Sequence, residues 1–176
     1  MLTQSNTLII DMWYSFDTPG LYTIKPTLTA KIKTRAGELT SIAHGLIQVT
    51  VVPRNEERLR RRAKELVVLA GILTMGNITS GAEILSYFKD AAAVPSLQGL
   101  LTGQHWLNQP YAIRGLERIA DYQSVSILIE QYNKEVGIER RSLRMSLYKI
   151  GASTRHLKVA TLVANAIEDP SLMEGL

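Results

Sequence analysis

The sequence predicts a mixed architecture, β first and then α. An incomplete antiparallel β-segment occupies residues 1–53, and an α-solenoid of helix pairs occupies residues 54–176. Three observations predict it. Apolar residues alternate with period two before Pro53, they recur at helical spacing after it, and from about Ile84 the chain repeats itself every 31 residues.

The β-segment comes first. Thr7 to Tyr14 is rich in Ile, Leu and aromatic residues. From Tyr22 to Lys33, Ile24, Leu28, Ala30 and Ile32 interleave with lysines and threonines, and Leu46 to Val52 alternates again until Pro53 stops it. Alternation with β-branched residues indicates strands with one buried face. Asp17-Thr18-Pro19-Gly20 reads as a turn between the first two strands, and Thr34 to Thr40 as a polar loop.

The helical part opens with a long linking and capping helix over 55–75. Leu59, Ala63, Leu66, Val67, Ala70 and Leu73 fall on one face, with Arg58, Arg61, Arg62 and Glu65 largely away from it. Asn55 is placed to cap its N-terminus, and Glu56 and Glu57 sit where the helix dipole favours negative charge. Gly76 reads as its stop, and Ser80-x-x-Glu83 as the capping box of the next helix.

The repeat is read by sliding the chain along itself. Leu85, Leu116 and Leu147 fall in one column, and so do Phe88, Ile119 and Ile150. Leu97, Leu128 and Val159 make a third column, and Leu101, Tyr132 and Val163 a fourth. Val94 and Val125 make a fifth, which His156 breaks. Each unit reads helix, tight turn, helix, with turns near Asp90-Ala91, Asp121-Tyr122 and Gly151-Ala152. Two helices in about thirty residues cannot bury an apolar face alone, so neighbouring units must stack.

Ala82 to Leu101 (AEILSYFKDAAAVPSLQGLL) and Ala112 to Tyr132 (AIRGLERIADYQSVSILIEQY) resemble short HEAT repeats of the phycobilisome-lyase type. Ser142 to Ile167 is a weaker third copy. Phe16 to Ile24 (FDTPGLYTI) resembles the tyrosine corner of an immunoglobulin-like sandwich, with Ile24 where antibody domains hold a cysteine. The order of parts is similar to bacterial HEAT-containing proteins. This implies a partial immunoglobulin-like β-segment followed by HEAT-like helix pairs. The segment is too short for the roughly seven strands of a sandwich. The chain is therefore expected to be a piece of a longer protein, or to have its sheet completed by another chain, with self-association through the β edge as one route. Membership of a longer exported protein would point to an extracytoplasmic setting.

Composition narrows the function classes. The 176 residues carry a net charge of +4, are 45% hydrophobic and contain no cysteine. Disulfide frameworks and thiolate metal sites are excluded, and no window reaches the length of a membrane span. His44, His105 and His156 are scattered, without a second ligand at helical metal spacing. Neither a G-x-S-x-G elbow nor a phosphate-cradling glycine loop appears. Asp121 reads as the inter-helix turn residue of its repeat, because Asp90 holds the same place one unit earlier. No catalytic residue, cofactor or metal is expected. The function that remains is protein–protein interaction or scaffolding on the solenoid surface. The second helices, near Ser96 to Leu101, Gln123 to Tyr132 and Thr154 to Ile167, would line the binding face.

Four binding residues are singled out: Trp106, Arg118, Lys149 and Lys158. Trp106 stands in the polar stretch Gly103 to Pro110, where it would either anchor a partner or fold back over the repeat end with Tyr111. Arg118 and Lys149 share a repeat column and would begin a basic ladder. Two basic clusters, Arg54 to Lys64 and Arg140 to Lys158, make nucleic-acid binding the second reading.

Overall fold

A computed structural model describes residues 18–34, 37–71, 81–103 and 106–168. The expected first strand, Thr7 to Tyr14, lies outside them, as do His105 and the expected helix stop and capping box at Gly76 and Ser80. The architecture is mixed, with antiparallel β-structure first and seven helices after it among the described residues. It divides into two compact units at the Asn55–Glu56 junction.

The β unit contains four strands: β1 (Gly20–Ile24), β2 (Thr27–Thr34), β3 (Gly37–His44) and β4 (Ile47–Val51). β1 pairs with β4, and β2 with β3, both antiparallel. One register runs through both pairings: Gly20 faces Val51, Ile24 faces Ile47, Thr27 faces His44 and Thr34 faces Gly37. The four strands are therefore one long hairpin, interrupted at Lys25-Pro26 on one side and Gly45-Leu46 on the other. Pro26 explains the interruption. Its carbonyl accepts from the Gly45 N–H at 3.0 Å, but proline has no N–H to return the bond. The expected loop over Thr34 to Thr40 is mostly strand, because β3 begins at Gly37. Glycine and polar residues suggested a loop there, but cross-strand pairing with β2 overrides that local preference. Below the hairpin, the Tyr22 hydroxyl donates to the Thr18 carbonyl at 2.7 Å. Ile24 is buried, whereas Leu21, Ile42 and Leu46 are exposed.

The helical unit starts with α1 (Glu56–Ala70), followed by Gly71 in a turn; residues 72–75 of the expected helix lie outside the described residues. Ala63, Leu66 and Ala70 form its buried stripe, and Arg60 pairs with Glu56 one turn earlier at 2.6 Å. Then follow α2 (Gly81–Leu85), α3 (Val94–Thr102), α4 (Gln109–Ile119), α5 (Tyr122–Lys134), α6 (Gly137–Ser153) and α7 (Leu157–Ile167). α1 touches α2, and from α3 to α7 each helix touches the next; alternate helices also touch, α2 with α4, α4 with α6, α1 with α3, α3 with α5 and α5 with α7.

The repeat columns form the core. Leu85, Leu116 and Leu147 are fully buried, and Leu97, Leu128 and Val159 lie beside them in the same cluster. Two close approaches require glycine. A Cβ on Gly81 would lie 2.2 Å from the Leu66 carbonyl oxygen, where α2 starts against the α1 backbone. A Cβ on Gly115 would lie 2.6 Å from a Leu97 methyl, where α4 crosses α3.

The turns obey simple capping chemistry. Asp90 Oδ1 accepts from the Ala92 N–H at 2.9 Å, and Asp121 Oδ1 accepts from the Ser124 N–H at 2.7 Å. Each aspartate satisfies a donor that a helix start leaves open. The third unit has Ala152 in that column, which cannot cap. There α6 runs on to Ser153, and the turn falls at Thr154 to His156 instead of the expected Gly151-Ala152.

Candidate interaction surface

The four residues singled out by sequence do not gather into one site. Arg118, near the C-terminus of α4, donates to the Ser86 carbonyl at 2.8 Å, and its guanidinium lies 4.1 Å from the centre of the Tyr87 ring. Ser86 follows α2, whose carbonyls from Ala82 to Leu85 accept N–H groups of Ser86, Tyr87 and Phe88; Arg118 takes the next carbonyl, where a cation offsets the negative end of the helix. Lys149 on α6 makes the equivalent reach, its Nζ standing 3.4 Å from Glu117 Oε1 on α4. Ser146 donates to the other oxygen of the same carboxylate at 2.6 Å.

Both cations thus bond a residue 32 positions earlier, and Ser86 and Glu117 are themselves repeat equivalents. The expected basic ladder is a row of joins between successive first helices. Its sequence signal was the shared column of Arg118 and Lys149; the column of Ser86 and Glu117 was not read from the sequence.

Trp106 opens a 3₁₀ turn (Trp106–Asn108) that leads directly into α4. Its side chain is 71% exposed, so it does not fold back over the repeat end. Beside it, Asn108 is buried and its Nδ2 donates to the Ala70 carbonyl at 3.4 Å, closing the end of α1.

Lys158 is the residue that marks a hollow. A cleft of about 940 Å³ opens between the two inter-helix turns, lined by Ile119 to Tyr122 on one side and by Ser153 to His156, Lys158 and Val159 on the other. A second, more open hollow of about 430 Å³ shares Tyr122 and Lys158 with it, and continues along α7 past Leu157, Thr161 and Leu162. Together they make a groove between the start of α5 and the outer side of α7.

The groove mixes apolar surface with positive charge. Tyr122 and Leu157 are each 59% exposed. Arg155, His156 and Lys158 are also exposed, and neither Arg155 nor Lys158 has a carboxylate partner among the described residues. Asp121, the one acid in the lining, is committed to capping α5. Tyr122, Leu157 and Leu162 were not singled out by sequence. Tyr122 and Leu157 stand on the solvent side of helices with a buried stripe elsewhere, Leu162 is half-buried against the core, and only the fold shows this.

Among the described residues no three His, Asp or Glu side chains gather as metal ligands, and no helix is long and apolar enough to cross a membrane. The arrangement can hold an extended or helical chain segment by apolar contact while attracting negative charge. No protein-family model, no curated protein and no solved structure matches this chain.

Proposed function

We propose that this chain is a non-catalytic protein-binding module, a short right-handed solenoid of HEAT-like helix pairs that lays a segment of a partner protein in the groove between α5 and α7. The observation that carries the proposal is that groove, where exposed Tyr122 and Leu157 stand beside Arg155 and Lys158. Contacts between alternate helices and burial of the 31-residue columns support the solenoid reading. The β unit is read as end strands of an immunoglobulin-like domain, a reading supported by the Tyr22 hydroxyl bonding back to Thr18.

Large apolar side chains between cations favour a protein segment over nucleic acid, whose binding rests chiefly on phosphate neutralisation. The test is affinity capture on immobilised full chain, comparing wild type with Tyr122→Ala and Lys158→Glu, with duplex DNA offered in parallel. Proteins retained by wild type and lost from both variants are the expected outcome. Identical retained sets on all three would overturn the groove. Strongly salt-dependent DNA retention, lost in Lys158→Glu, would replace the protein reading with the nucleic-acid one.

A further inference from the structure

The α6–α7 pair departs from the α4–α5 pair at two equivalent places. Ile113 on α4 is 9% exposed and Ile127 on α5 is 8% exposed. Thirty-one residues on, the same columns hold Arg144 on α6 and Lys158 on α7, both exposed. Ala82, one unit before Ile113, is fully buried. A column that is apolar and buried inside the stack therefore becomes cationic and open at its last described member. Covering it with an apolar helix, as α6 covers α4, would bury a guanidinium without a partner, which is costly.

The outer side of α6 is nevertheless not a plain polar surface. Ile138 is 82% exposed, Met145 53% and Tyr148 45%. At about 100° per residue these three lie on the side opposite Leu143, Leu147 and Ile150, which are buried. Arg141 lies within the stripe, Arg144 on its flank, and neither has a carboxylate partner among the described residues. Glu139 is the only acid in α6 and lies about 200° around the helix from Arg141. Arg140 is stacked over the Tyr132 ring at 4.6 Å.

We infer that the outer face of α6 is a second docking surface, and that it takes an acidic amphipathic helix of another protein. The apolar stripe supplies contact area, and Arg141 and Arg144 require carboxylates opposite them. A second copy of this chain does not fit, since two-fold pairing of α6 with itself would set arginine against arginine. Duplex nucleic acid leaves Ile138 and Met145 without a counterpart. A lipid surface is disfavoured by Arg141 in the middle of the stripe. This surface is separate from the α5–α7 groove and does not depend on it.

The test uses the full chain and two synthetic helical peptides of about five turns each. Both carry leucines at i, i+3, i+4 and i+7, one flanked by glutamates and the other by lysines. Wild type is expected to bind the glutamate peptide at least about tenfold more tightly than the lysine peptide. The double variant Arg141→Glu/Arg144→Glu is expected to reverse that preference, and Met145→Ser/Tyr148→Ser to weaken binding of the preferred peptide. Tyr122→Ala, in the groove, is expected to leave it unchanged, which separates failure here from failure of the groove. Absence of binding, equal binding of the two peptides, or an unreversed preference in the double variant would overturn the inference. So would binding of duplex DNA or of phosphatidylserine vesicles through Arg141 and Arg144 in place of the glutamate peptide.

Discussion

Arg118 and Lys149 were legible as a pair but not as joins. Two cations in one repeat column look the same in sequence whether they face a ligand or the preceding unit. What decides is the partner: the Ser86 carbonyl for one and the Glu117 carboxylate for the other, both carried by the neighbouring first helix. The two joins are not equal in strength. Lys149 is a long, solvent-exposed pair, the kind that contributes little. Arg118 bonds a carbonyl at the end of α2 and stacks on Tyr87. Arg118→Ala is expected to cost about 1–2 kcal/mol in urea unfolding, and Lys149→Ala well under half of that. Neither should weaken capture of a partner in the groove; a loss of capture without a loss of stability would return Arg118 to the binding surface.

Elements were most legible where periodicity was long. The columns of Leu85, Leu116 and Leu147 were read from spacing alone, and all three are fully buried. Leu116→Ala is accordingly expected to destabilise the helical unit by about 2–5 kcal/mol, read from its unfolding midpoint; an unchanged midpoint would break the register. Boundaries were less legible. The helix expected over 55–75 is described to Ala70, and Gly71 follows it. The third turn moved because Ala152 offers no oxygen where Asp90 and Asp121 do, so α6 had nothing to stop it there. β3 was missed because a hairpin arm is specified by its partner strand. Gly37 and Glu38 carry little strand preference themselves, yet each pairs with β2. The groove was legible only at Lys158, since a member of a basic cluster is visible in sequence, whereas an exposed Tyr122 is not.

Across the whole molecule the two units differ in what holds them. The helical unit has a continuous cluster of buried Leu, Ile, Val and Ala running from α1 to α7. In the β unit, each described strand has a single pairing partner, and Ile24 is its one buried apolar residue among those described. A two-stranded hairpin is marginal in water. Amide hydrogen exchange is therefore expected to be fast throughout β1 to β4 and slowest in α4, α5 and α6, by several orders of magnitude. Equal protection in the two units would mean that the hairpin is stabilised by something beyond its own pairing. The helical unit also carries each of its joins locally: a capping aspartate, a buried leucine and a cation that reaches back 32 residues. A duplicated copy of residues 90–120, spliced in after Ala120, would bring its own set of all three. Such a gene can grow or shrink by whole copies without any change to its remaining text.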